Sequence, residues 1–177
     1  MRLNLLLVAF ALGLLNIGSA AAVDQRYVGL QVSGLEFDDP SNTETLEPAG
    51  VIGRMGGSLN DLVIFEGRVG AGISDDSSGP ESNPTTLDMK YMVGGYALLR
   101  GNVSGTLFPY VIAGGTLVDL DASNNPAVQG TETSLSYGLG FDAAVTTKMR
   151  VGVEYMRYID GSDFNLDAIA IGLAARF

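Results

Sequence analysis

Ten ionisable side chains fall where a two-residue period turns them to one face: Arg54, Glu66, Arg68, Asp88, Lys90, Arg100, Asp142, Arg150, Glu154 and Arg176. Such a set admits two kinds of chemistry. One is a polar path for ions or small solutes. The other is a network of ion pairs filling a narrow space, tolerable because each buried charge finds a partner. The second is the expectation, since both signs occur on neighbouring segments, as with Glu66 and Arg68 or Asp88 and Lys90. Catalysis fits poorly. The chain has no histidine and no cysteine, which removes the commonest general base, the commonest metal ligand and any thiol nucleophile. Ser134 and Ser136 share a face with Asp142, but without a base a serine is an ordinary hydroxyl. No enzymatic activity and no cofactor are expected.

A second group is acidic and sits in polar breaks: Asp38, Asp39, Glu44 and Glu47, then Asp75, Asp76 and Glu81, then Asp119 and Asp121, then Asp160 and Asp163. Calcium takes about six to eight oxygen ligands, yet no Asp-x-Asp-x-Asp-Gly loop is present. Solvated acidic loops, bridged loosely by divalent ions to lipopolysaccharide, are expected rather than a built metal site. The net charge of −10 also argues against a nucleic-acid partner, because phosphate binding needs a basic footprint.

The elements that must position these residues are strands. Eight alternating stretches run from Gln25 to Leu35, Ala49 to Leu59, Leu62 to Ile73, Leu87 to Arg100, Val103 to Val118, Thr133 to Val145, Met149 to Ile159 and Asn165 to Phe177. Tight turns at Asn60-Asp61, Gly101-Asn102 and Thr146-Thr147-Lys148 alternate with mostly longer polar breaks that show no long β-rich extensions. In the sixth stretch Leu135, Tyr137, Leu139, Phe141 and Val145 oppose Ser134, Ser136, Gly138, Gly140 and Asp142. The fourth sets Leu87, Met89, Tyr91, Val93 and Leu99 against Asp88, Lys90, Met92, Gly94, Tyr96 and Arg100. In the fifth, Leu107, Val111 and Leu117 compete with Phe108, Tyr110, Ile112 and Val118, and its parity stays open. Glycines cluster on the charged parity, where small residues make room for long ones inside a narrow barrel. Periodicity alone does not say which face points inward. A soluble lipocalin-like barrel buries the apolar parity, and a membrane barrel inverts that order.

The chain ends favour the inverted order. Arg2 precedes the apolar run Leu5 to Leu15 and the small residues Gly18 to Ala22, the pattern of a signal peptide over 1–22 with cleavage after Ala22 or a residue or two earlier. That run is too short to cross a bilayer as a helix, which needs roughly 20 apolar residues. At the other end Ile169, Ile171, Leu173 and Phe177 share one parity and Arg176 takes the other.

Tyr27-Val28-Gly29-Leu30-Gln31-Val32, Pro109-Tyr110-Val111-Ile112-Ala113-Gly114-Gly115, Tyr137-Gly138-Leu139-Gly140-Phe141-Asp142, Val151-Gly152-Val153-Glu154-Tyr155 and the final Phe177 together resemble the OmpA/OmpX-type superfamily of small outer-membrane β-barrels. The likeness covers nearly all of 23–177. It implies an all-β, eight-stranded, antiparallel up-and-down transmembrane barrel with short periplasmic turns and longer extracellular loops. It also implies an outer-membrane location, contact with lipid and lipopolysaccharide, and a terminal Phe177 read by the barrel-assembly machinery. Two departures stand out: there is no tryptophan for the interfacial girdles, and no peptidoglycan-binding domain follows the strands. The expected protein is a monomer with a plugged polar lumen and a structural or surface-interaction role. The alternative is a narrow porin-like channel.

Overall fold

The computed structural model describes residues 24–38, 47–78, 85–122, 130–160 and 165–177. The expected signal peptide lies outside them, as do Asp39, Glu44, Glu81 and Asp163. Eight long strands follow in chain order: β1 (Asp24–Asp38), β2 (Ala49–Ser58), β3 (Val63–Ser74), β4 (Thr85–Arg100), β5 (Leu107–Ala122), β6 (Gly130–Ala144), β7 (Met149–Asp160) and β8 (Asn165–Arg176). Each pairs antiparallel with its sequence neighbours, and β1 pairs with β8 from Tyr27–Arg176 up to Asp38–Asn165. The sheet therefore closes on itself and leaves no free edge between first and last strands. A three-residue segment, Asp76–Ser78, resumes the line of β3 beyond Asp75 and pairs with the start of β4.

The hairpins at one end are fixed by side chains that imitate backbone. Asn60 Oδ1 accepts from the N–H groups of Leu62 and Val63 at 2.9 and 2.8 Å, and Thr146 Oγ1 accepts from Lys148 and Met149 at 3.2 and 2.9 Å. The third turn is longer than Gly101-Asn102. Its reversal lies at Ser104 and Gly105, with φ of 62° and 72°, while Asn102 Oδ1 accepts from Gly105 N–H at 2.9 Å. Val103 forms only an isolated bridge with Leu107, so β5 begins at Leu107 rather than Val103.

At the opposite end the ladder outruns the apolar pattern. β5 continues to Ala122 and β6 starts at Gly130, and β1 reaches Asp38. Polar residues there keep the strand hydrogen bonds after the need to face lipid has ended, which is why alternation underestimates strand length by a few residues.

The faces sort as a membrane barrel requires. Leu30, Val32, Phe65, Val111, Leu139, Phe141, Ile169, Ile171 and Leu173 are exposed on the outside, whereas Arg54, Glu66, Arg68 and Glu154 are buried inside. β5 turns Phe108, Tyr110, Ile112, Thr116, Val118 and Leu120 inward and Leu107 and Val111 outward, settling the parity that the sequence leaves open. The interior is less polar than expected. Its loop-end half is packed with Leu35, Phe37, Ile52, Met89, Met92, Val118, Leu120 and Leu166, all nearly inaccessible.

Candidate functional site

The centre of the lumen is a strut between opposite walls. Arg68 on β3 donates from Nη1 and Nη2 to the two carboxylate oxygens of Glu154 on β7, at 2.6 and 2.7 Å. Its Nε donates to Glu66 Oε1 at 2.6 Å, and its guanidinium lies 4.9 Å from the centroid of the Tyr96 ring. The remaining carboxylate capacity is also used. Tyr27 Oη donates to Glu66, and Tyr110 Oη donates to Glu154 Oε2 at 2.9 Å. Arg54 on β2 closes the group, 3.4 Å from Asp142 Oδ1 and 4.0 Å from Glu66. Bidentate, charge-assisted contacts of this kind are the geometry in which a buried pair offsets its loss of water.

Two glycines make room for the tyrosines. A Cβ on Gly56 would lie 2.7 Å from the Tyr27 hydroxyl, and one on Gly140 would lie 2.6 Å from that of Tyr110. Above the strut a hydroxyl file runs from Tyr96 through Thr116 to Ser136, which donates to the Tyr158 carbonyl at 2.8 Å. Ser136 is thus committed to structure, and Ser134 donates to the adjacent Leu135 carbonyl at 3.1 Å.

Not all of the ten expected lumen charges join this network. Arg54, Glu66, Arg68, Asp142 and Glu154 are brought together. Arg100, Arg150 and Arg176 point inward at the turn end, where they line a small, partly open pocket. Among the described residues no carboxylate lies within 4.0 Å of their guanidinium groups. Lys90 is not in the lumen. A bulge between Met89 and Tyr91 resets the period of β4, so that Met89 turns inward and Lys90 stands exposed, 2.9 Å from Asp121. Its expected neighbour Asp88 is half-buried beside Gly72. A bulge costs one residue of phase and flips every side chain beyond it. Phe177 is 72% exposed, and its N–H donates to the Arg26 carbonyl at 3.1 Å.

One ion pair escapes sequence reasoning. On the outer wall Arg157 Nε and Nη2 donate to the two oxygens of Asp167, each at 2.8 Å, and Tyr137 Oη donates to Asp160 at 2.9 Å. Outward parity supplies the signal, since Arg157 follows Tyr155 by two residues and Asp167 precedes Ile169 by two. This cluster marks the loop-side rim of the lipid-facing belt, above Tyr155 and Ile169. Of the loop acids, Glu47, Asp75, Asp119, Asp121 and Asp160 are fully described. No three carboxylates among the described residues are grouped to hold a metal ion.

A closed eight-stranded barrel with an apolar exterior and an ion-paired interior defines a small outer-membrane β-barrel. The family model described as outer membrane protein beta-barrel domain matches residues 7–177, and the chain belongs to that family. No curated protein matches the sequence. Among solved structures, the fold is similar to Neisserial surface protein A, at 16% identity and TM-score 0.66 over 86% of this chain and 97% of that one. It is also similar to Ail, the attachment invasion locus protein of Yersinia pestis, solved with the heparin analogue sucrose octasulfate, at 14% identity and TM-score 0.62 over 86% and 98%. The N-terminal barrel of Pseudomonas aeruginosa OprF matches at 15% identity and TM-score 0.52 over 84% and 97%. At these identities the likeness concerns the fold. The fold and the family together make the outer membrane the location and lipid the surroundings of the exposed apolar face.

Proposed function

We propose that this protein is a non-catalytic surface barrel, a lipid-embedded scaffold with a plugged lumen that presents an acidic loop end to its surroundings. The observation that carries this reading is the double filling of the interior: the Glu66–Arg68–Glu154 strut, and above it the apolar layer of Leu35, Phe37, Met89, Met92 and Leu120. An ion would have to break the first and enter the second without water. Ser134 and Ser136 have no base beside them, and their hydroxyls serve backbone carbonyls.

A surface role accords with the names of two fold neighbours, a surface protein and an attachment invasion locus protein. The polyanion held by Ail is a poor model for the partner here, because Glu47, Asp75, Asp119, Asp121 and Asp160 give this loop end the same negative sign as a polyanion. Basic surfaces, or lipopolysaccharide phosphates bridged by divalent cations, are the complementary chemistry. Lipopolysaccharide outside and the assembly machinery during biogenesis are the partners this reading assigns, with the barrel acting as a monomer. Planar-bilayer recording on the refolded chain tests the plugged lumen. A silent membrane is expected, and stable discrete openings would replace this reading with the narrow channel.

A further inference from the structure

We propose that the turn-end mouth of the barrel is an oxyanion site, in which Arg100, Arg150 and Arg176 receive a phosphate-class anion. Three observations converge there. The first is uncompensated charge. The lumen's three buried or half-buried carboxylates, Glu66, Glu154 and Asp142, are engaged by Arg68 and Arg54. Arg150 is nevertheless only 7% exposed, and no acid among the described residues is within ion-pair distance of it. Burying a cation without a partner is costly, so a site of this kind favours a counter-ion. This concentration of positive charge stands out in a chain whose net charge is −10.

The second observation is preorganisation. The Arg150 guanidinium stacks 4.0 Å from the centroid of the Phe108 ring, and that of Arg100 lies 5.6 Å from the same centroid. One ring thus holds two planar donor forks in place, and their mutual repulsion is relieved by an anion placed between them. The third is access. Arg100, Arg150 and Arg176 line one partly open pocket together with Asp142 and Tyr27, and Arg100 and Arg176 are themselves partly exposed. Guanidinium forks match tetrahedral oxyanions bidentately, and the Asp142 carboxylate on the same lining, held by Arg54, keeps an anion on the arginine side.

The chemistry is shared by free phosphate and by phospholipid headgroups, and the test separates them. The full chain, refolded in an uncharged detergent, is titrated calorimetrically with inorganic phosphate at ionic strength held constant with sodium chloride. Saturable binding is expected, weakened at least about tenfold in Arg150→Gln or Arg176→Gln by loss of a charge-assisted contact, and unchanged in Lys90→Gln at the far rim. Arg176 is half-exposed at the mouth, so its variant serves if Arg150→Gln does not fold. Repeating the titration in phosphatidylcholine vesicles with and without phosphatidylglycerol identifies the source. Competition by the anionic lipid assigns the pocket to a headgroup, and indifference assigns it to the free anion. Absence of saturable binding, or parental affinity in both arginine variants, would overturn the proposal.

Discussion

Arg68 and Glu154 stand 86 residues apart in sequence and on opposite strands of the eight-membered ring, yet meet fork to fork at 2.6 and 2.7 Å. The pair ties β3 to β7 through the middle of the barrel, a link that the wall hydrogen bonds do not supply. Removing Glu154 leaves Arg68 with Glu66 as its one carboxylate partner among the described residues and frees the Tyr110 hydroxyl. The Glu154→Ala barrel should be less stable by about 3 to 5 kcal/mol, the range for stranding one member of a buried pair. Urea titration of the refolded protein, followed by the heat-modifiable gel shift, measures it. Unchanged resistance would show the strut to be dispensable.

Gly140 tests the same network from behind. Its missing side chain leaves the space taken by the Tyr110 ring, whose hydroxyl would lie 2.6 Å from an added Cβ. Gly140→Ala should therefore push Tyr110 off Glu154 and cost about 1 to 3 kcal/mol, as overpacking does in a filled interior. Gly95, which has open space around a built Cβ, is the control: Gly95→Ala should unfold at the same urea concentration as the parent.

Much of this architecture was legible because alternation is set by what each face meets. Leu139 and Phe141 face lipid, Gly140 and Asp142 face the lumen, and their neighbours repeat the rule. The signal weakens where one face meets neither. On β5, Tyr110 and Ile112 are as apolar as Val111, because an interior this narrow also needs large side chains, so parity could not be assigned. On β4, the bulge at Met89 to Tyr91 carries no sequence mark and displaced Lys90 and Asp88 from the expected network. The strut partners were legible as a set, but which carboxylate each arginine would take depends on cross-barrel distance, which no local pattern encodes.

The outer face predicts different responses to charge at its middle and at its rim. Ile171 lies midway along the apolar outer side of β8, between Ile169 and Leu173. Ile171→Arg should destabilise the barrel in vesicles by about 2 to 4 kcal/mol, the cost of a cation facing lipid near the midplane. Lys90→Ala, which deletes an exposed charge at the loop-side rim, should leave the unfolding midpoint unchanged. Equal tolerance of both substitutions would contradict the assignment of the outer face.

Phe177 separates a structural contribution from an assembly one. Its ring is exposed and its main contact is one N–H donated to the Arg26 carbonyl at 3.1 Å, an interaction of about 1 kcal/mol. A chain lacking Phe177 should therefore refold in detergent with nearly the parental urea midpoint. If the terminal aromatic residue serves recognition during insertion, the same deletion should lower the yield of folded protein in the outer membrane severalfold. The informative comparison is between these two measurements. A parallel loss in both would make Phe177 a structural residue of the β1–β8 seam, and normal yield in cells would remove it from assembly altogether.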